Sequence, residues 1–369
     1  MDQRNRKLAS NLVNYSCKLQ KGENVFLRIR GNDCKPLAKE VIKEVYKAGA
    51  VPFLKLEDQS LDREIIMGCT KKQLKAINDN ELNLMKQMDA YIGITATDNF
   101  AENSDVPEDN MNSFSSASRG VLDERVDNTK WVILRYPNNS MAQKANMSLE
   151  SFEDFYYNVC NLDYSKMNEA MKPLKELMNK TDKVRVTGKG TDITFSIKDI
   201  PTIPCAGELN IPDGEIYTAP VKKSVNGVIS YNTPSHYRGF TFKDIRFEIE
   251  NGKIIKATSN DNNRINKILD SDEGARFFGE FAIGVNPYII NPMENTLFDE
   301  KIMGSIHFTP GKSYEDASNG NTSEVHWDLV LIQTPEFGGG EIYFDDRLIR
   351  KDGRFIIPEL EVLNPENLK

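Results

Sequence analysis

NVFLRIRGNDCKPLAKEVIKEVYKAGAVPFLKL, residues Asn24–Leu56, decides the fold class of the first half of the chain. NVFLRIR is a short apolar, β-rich run. KPLAKEVIKEVYKAGA repeats its apolar residues at helical spacing and has Gly49 near its C-terminal end, and VPFLKL returns to a strand. Strand, helix and strand in that order describe a parallel crossover unit. Further strands follow in AYIGIT (Ala90–Thr95) and KWVILRY (Lys130–Tyr136), with helical stretches near Lys71–Lys86 and Ser148–Cys160. Before the opening stretch, Leu8, Leu12, Tyr15 and Leu19 also recur at helical spacing. The alternation predicts an α/β N-terminal domain with a mostly parallel sheet.

Past Lys180 the pattern changes. Val184 and Val186 alternate with polar residues, a glycine-containing turn follows, and Ile193, Phe195 and Ile197 alternate again, which predicts a hairpin. Ile245, Phe247 and Ile249, then Asn251-Gly252 and KIIKAT, predict another, and EIYFDDRLIRKDGRF near the C-terminus reads as a third. One helix, about Asn262–Phe281, is expected to interrupt the strands. The second half is therefore expected to be a β-rich α+β domain. The boundary falls in or just after MNEAMKPLKELMNKTDK, dividing the chain into residues 1–180 and 181–369. No internal repeat or low-complexity tract is present.

The 369 residues exceed the size at which single cores stop growing, so two domains are the default. Cys17, Cys34, Cys69, Cys160 and Cys205 are odd in number and scattered without a CxxC pair, which reads as reduced thiols in a cytoplasmic protein. The first twenty residues hold no apolar core of a secretion signal, and no later run is long enough to cross a membrane. The net charge of −8 comes from well-mixed acidic and basic residues without a basic stripe, which argues against nucleic acid as a partner.

Two of the three histidines lie in Ile306–Val330, IHFTPGKSYEDASNGNTSEVHWDLV. In SEVHWDLVLI a period of two places Glu324, His326 and Asp328 on one face, and Val325, Trp327, Leu329 and Leu331 on the other. A His-x-Asp pair on one strand face offers imidazole nitrogen and carboxylate oxygen to a single cation; a solvated edge strand with a chance histidine fits the spacing equally. His307 ends EKIMGSIHF and is followed by Pro310-Gly311, so it stands where a strand hands residues to a cleft, or is simply packed. Glu215 follows a Pro-Asp-Gly turn at a strand start, and is either a ligand or a turn-flanking surface charge. Glu280 is expected late in the helix beside Phe277, Phe278 and Phe281, either as a desolvated ligand or in an i,i+4 ion pair with Arg276. His236 fits no ligand position and reads as structural or surface. FGGGEIYF lacks the helix that a phosphate loop requires after its glycines.

The blocks NIPDGEIYTAP, SVNGVI, DEGARFFGEFAIGVNP, DEKIMGSIHFTPGKSY and HWDLV, in that order, closely resemble the signature of the thermophilic metalloaminopeptidases, the aminopeptidase T, aminopeptidase S and aminopeptidase II family. The resemblance spans most of the second half; the first half agrees in general character. It implies metal ligands at Glu215, Glu280, His307, His326 and Asp328, two divalent ions (zinc, cobalt, manganese or magnesium), and catalytic roles for Tyr314 and Glu280. The loop from Tyr314 to His326 is shorter than the family's usual one, which bears on the substrate pocket. The implied activity is removal of N-terminal residues from peptides with a free N-terminus by a metal-activated water, in a homodimer. A carboxypeptidase or phosphoesterase built on two ions, or a binding protein with a structural metal, are the alternatives.

Overall fold

The computed structural model describes residues 2–369. The chain divides into two compact units, Met1–Asn161 with Gly207–Pro212, and Leu162–Ala206 with Asp213–Lys369. The division expected near Lys180 differs from this grouping in two places. The helix Tyr164–Met178 groups with the second unit, where it lies against the C-terminal turn Pro358–Leu363, and Gly207–Pro212 groups with the first.

The first unit is the parallel α/β layer its sequence predicts. Its sheet has the order Val51–Glu57, Asn24–Arg30, Ala90–Thr95, Lys130–Arg135 and Asn210–Ile211, with every neighbouring pair parallel. Val25, Phe26, Leu27 and Ile29 are buried in the Asn24–Arg30 strand, and the helix Lys35–Lys47 buries Leu37, Ala38, Val41 and Val45 at helical spacing. Pro36 in its first turn costs no hydrogen bond, because the amides there have no intrahelical partner. A helix not foreseen from sequence, Glu108–Asn128, is polar nearly all round and buries only Val121.

The second unit is antiparallel. One sheet of eight strands runs from the hairpin Arg246–Glu250/Lys253–Thr258 through Asn226–Ser230, Thr191–Ser196, Lys183–Gly188 and Gly340–Phe344 to Arg347–Lys351 and Arg354–Phe355. A second has the order Val330–Ile332, Ser305–Pro310, Phe278–Gly284, Glu215–Thr218 and Ile203–Cys205. Aromatic rings join the two. Phe195 of the larger sheet meets Phe281 at 4.9 Å and Phe308 at 5.0 Å, and Phe278 lies 4.2 Å from Phe308, ring centre to ring centre.

The helix expected over Asn262–Phe281 ends at Leu269, after burying Ile265, Ile268 and Leu269. Asp272 then accepts hydrogen bonds from the amides of Gly274 and Ala275, turning the chain, and Phe278–Gly284 is a strand buried along its whole length. Such a run has no polar face, so neither a period of two nor one of 3.6 is written into it. Glu280 therefore sits in a central strand and not in a helix.

Candidate metal centre

The five-stranded sheet turns one face to the aromatic core and the other to a cluster of ionisable groups. Phe278 and Phe281 are three residues apart yet both reach that core, which requires an extra residue. The register between Phe278–Gly284 and Ser305–Pro310 shifts between Phe278 and Glu280, a β-bulge at Gly279. A Cβ at Gly279 would stand 2.2 Å from the Lys312 carbonyl oxygen, so only glycine permits the close approach there. After the bulge Glu280 faces away from the rings. It pairs with Thr309, and Ala282 pairs with His307, so Glu280, His307 and Thr309 share one face beside a small residue.

Glu215 opens the next strand, opposite Gly284. Gly214 before it has φ +126°, and a Cβ there would lie 2.9 Å from Cβ of Asn286. The Asn286 side-chain amide in turn donates to the Asp213 carbonyl at 2.7 Å, fixing the turn that delivers Glu215.

His326 and Asp328 arrive differently from expectation. SEVHWDLVLI is regular strand only over Val330–Ile332, while His326 makes an isolated bridge to Gly311. The alternation survives without the ladder: Val325, Trp327 and Leu329 are buried and His326 and Asp328 point the other way. Backbone hydrogen bonds from Lys312 to Val325 at 2.7 Å and from Trp327 to Pro310 at 3.2 Å hold the segment, and Trp327 stacks on Tyr237 at 4.6 Å.

The ring nitrogens of both histidines then converge on carboxylates. His307 Nε2 lies 3.0 Å from Glu280 Oε1 and 3.6 Å from Glu215 Oε2. His326 Nε2 lies 3.3 Å from both Glu280 Oε2 and Asp328 Oδ1. The opposite nitrogens are anchored on the main chain, His307 Nδ1 at 3.1 Å from the Glu300 carbonyl and His326 Nδ1 at 2.8 Å from the Lys312 carbonyl. A carbonyl can only accept, so each Nδ1 carries the proton, and in the neutral ring Nε2 presents its lone pair to the cluster. Thr309 donates to Asp328 Oδ1 at 2.8 Å. Glu215 (8 % exposed), Glu280 (3 %) and His307 (1 %) are buried.

Such a concentration of buried carboxylates calls for positive charge. Burial lowers the basicity of His307, but Glu215 and Glu280 outweigh it and raise its pKa to about 10; for His326, Asp328 and Glu280 overcome burial and raise it to about 12. Burial would raise the Asp328 and Glu280 carboxyls, and the histidines instead hold both below the usual carboxylate range. Protons on the imidazoles are one source of the missing charge; a divalent cation bound in their place is the other. Three observations fit a cation. Glu215 Oε2 and His326 Nε2 are buried without a hydrogen bond. Ligand atoms of Glu280, His307 and Asp328 all lie within 4.8 Å of one another. Mixed imidazole and carboxylate donors suit zinc, cobalt or manganese.

Glu280 makes no ion pair with Arg276, whose guanidinium instead bonds Asp270 at 2.6 Å and Asn266 at 2.9 Å. Glu215 is not a surface charge. Tyr314 is half exposed (46 %), its ring 4.8 Å from that of His326 and 5.5 Å from that of Tyr217, whose hydroxyl donates to Asp316. His236 is exposed on the small hairpin Ser235–Tyr237/Phe240–Phe242, its Nδ1 3.2 Å from the Thr241 hydroxyl. Sequence reasoning passed over Glu300, Lys301 and Thr309. Lys301 is 1 % exposed and its ammonium contacts Glu215 Oε1 at 3.2 Å and the Glu300 carboxylate. Lys301 stands in DEKIMGSIHF, within one of the signature blocks, and its residue type by itself gives no sign of burial.

Comparisons with known proteins show the family and the fold. The description "Thermophilic metalloprotease (M29)" belongs to the family whose model matches residues 1–354. Aminopeptidase PepS of Streptococcus thermophilus is 24% identical over 382 residues, covering 88% of this chain and 91% of its own. Aminopeptidase T of Thermus thermophilus is 31% identical over 199 residues, 46% of this chain and 48% of its own. The structure of wild-type AmpT from Thermus thermophilus superposes with a TM-score of 0.79 at 18% identity, over 96% of this chain and 99% of that one, which shows a shared fold. From its first residues through the last strands of the second unit, the chain belongs to the M29 family of thermophilic metalloproteases.

Proposed function

We propose that the protein is an aminopeptidase that releases N-terminal residues from peptides, with Glu215, Glu280, His307, His326 and Asp328 holding two divalent ions. The observation that carries this reading is the pair of histidines whose Nδ1 atoms are tied to backbone carbonyls while both Nε2 atoms face carboxylates. Bound there, paired ions would supply polarisation of the scissile carbonyl and a lowered pKa for the attacking water.

The protein's own groups divide the remaining work. Glu280 turns one oxygen to each histidine, and would hold an ion together with them. In this reading Glu280 combines ligation with uptake of a proton from the attacking water. Thr309 fixes the orientation of Asp328. In this reading Tyr314, half exposed with its ring 4.8 Å from that of His326, donates its phenol hydrogen to the oxyanion that develops on the substrate. Relatives named aminopeptidases support the choice of peptide N-termini as substrate. A homodimer is proposed on the family resemblance, and a cytoplasmic location on the odd, scattered cysteines without a CxxC pair. Among the described residues, no helix is long and apolar enough to cross a membrane.

A panel of aminoacyl-chromophore substrates, run on chelator-stripped protein with zinc, cobalt, manganese or magnesium restored, tests class and metal together. Metal-dependent release of the first residue is expected. Full activity after verified metal loss, or release of the last residue instead, would overturn the reading.

A further inference from the structure

Lys301 is an unusual neighbour for a metal ligand. It is 1 % exposed, and its ammonium lies 3.2 Å from Glu215 Oε1 and in contact with the Glu300 carboxylate. A buried ammonium persists only when paired, and here two carboxylates pair it. The same carboxylate belongs to a second cluster of potential ligands, Cys205, Asp213 and Glu215, whose ligand atoms lie within 4.8 Å of one another. The remaining Glu215 oxygen, Oε2, is buried without a hydrogen bond and lies at ion-pair distance, 3.6 Å, from His307 Nε2. Glu280, His307, His326 and Asp328 form the other half of the centre without any lysine or arginine among their ion pairs. The two halves therefore differ in kind. One is compensated by imidazoles alone, which surrender their Nε2 protons to a metal; the other is compensated chiefly by an ammonium, which a metal must repel or displace, with His307 at its edge.

From this asymmetry we infer that Lys301 is a built-in cation of the Glu215 half, so that the protein holds one ion tightly through Glu280, His307, His326 and Asp328 and takes the second only weakly and exchangeably. The inference rests on the two-ion reading above and specifies how the two positions differ. A dication brought within a few ångströms of a fixed ammonium loses more than a tenfold factor in affinity at the effective dielectric of a protein, so the second equivalent binds at least about tenfold more weakly than the first. Lys301→Gln removes the competing charge while leaving a polar group for Glu215 and Glu300, and should tighten the second equivalent by about tenfold or more.

The test is a titration of the chelator-stripped full chain with Co2+, followed by visible absorption and by metal retained per chain after dialysis. Wild type should retain one equivalent and bind a second reversibly; Lys301→Gln should retain more than one. Should Lys301→Gln fail to fold, Glu215→Gln in the wild-type background decides the matter, since it should abolish the weak equivalent and leave the tight one. Two equally tight ions in wild type, an unchanged second affinity in Lys301→Gln, or loss of the tight ion in Glu215→Gln would each overturn the role of Lys301. Uptake of no ion at either position would instead refute the metal reading on which it stands.

Discussion

Replacing Glu280 by Gln tests the centre where its geometry is most demanding. The carboxylate touches both imidazoles, Oε1 at 3.0 Å from His307 and Oε2 at 3.3 Å from His326, and is 3 % exposed. An amide of the same shape keeps one acceptor and turns an NH2 toward the other ring, so one of two charge-assisted contacts is lost. Such a contact contributes about 1.5–3 kcal/mol. At roughly 2–4 °C per kcal/mol for a unit of this size, melting of the metal-stripped protein should fall by about 3–12 °C. Metal affinity should fall further, by more than about tenfold, because even a residue that only supports a ligand costs that much. Arg276→Ala is the control. It breaks the 2.6 Å pair with Asp270, and should reduce stability without changing metal content. Bound metal per chain, turnover and melting would be measured for both variants. Equal, mild effects in the two, with full metal occupancy, would refute the placement of Glu280 in the centre.

Tyr314→Phe should lower kcat by about 10²–10³ with little change in KM or bound metal, because the phenol is proposed to act on charge that develops in the transition state; near-normal turnover would make the residue a bystander. Thr309→Val removes the hydrogen bond that orients Asp328 and should weaken metal binding by about 10–100-fold in an equilibrium competition with a chelator, an effect absent if Asp328 binds no ion. In the first unit, burial alone would raise the pKa of Glu57, but Arg28 and Lys55 hold it at about 2, against an ordinary 4.5. A depressed folded-state pKa contributes stability that is complete above about pH 4.5 and lost as pH falls toward 2, worth on the order of 3 kcal/mol. Glu57→Gln should therefore be less stable than wild type at pH 6 and equal to it near pH 2 in denaturant titrations; a pH-independent difference would exclude the linkage.

What could be read in the sequence follows from which residues carry a period. Val25 to Ile29 announced themselves as a short apolar, β-rich run, and the helix Lys35–Lys47 by its helical repeat with Gly49 near its end. His326 and Asp328 were placed on one face by alternation that persists even where the hydrogen-bonded ladder does not. FFGEFAIG misled, since a run buried on both sides carries no phase and the bulge at Gly279 adds a residue that no alternation can anticipate. Lys301 was overlooked for the opposite reason. Its residue type predicts exposure, and only the fold shows that two carboxylates have drawn it inside.

The main-chain anchoring of the two imidazoles bears on how freely this centre tolerates genetic change. Both Nδ1 atoms lean on carbonyl oxygens, those of Glu300 and Lys312, and every amino acid supplies a carbonyl. Had the rings been steered by neighbouring side chains, a drift at either neighbour would have rotated a histidine and blunted the donor set. A substitution at position 300 or 312 leaves the carbonyl in place, so the aim of His307 and His326 is inherited from the backbone path, while the Glu300 side chain has its separate part beside Lys301. The orientation of the rings is thus protected from point substitution and exposed chiefly to insertions and deletions that would move those two carbonyls.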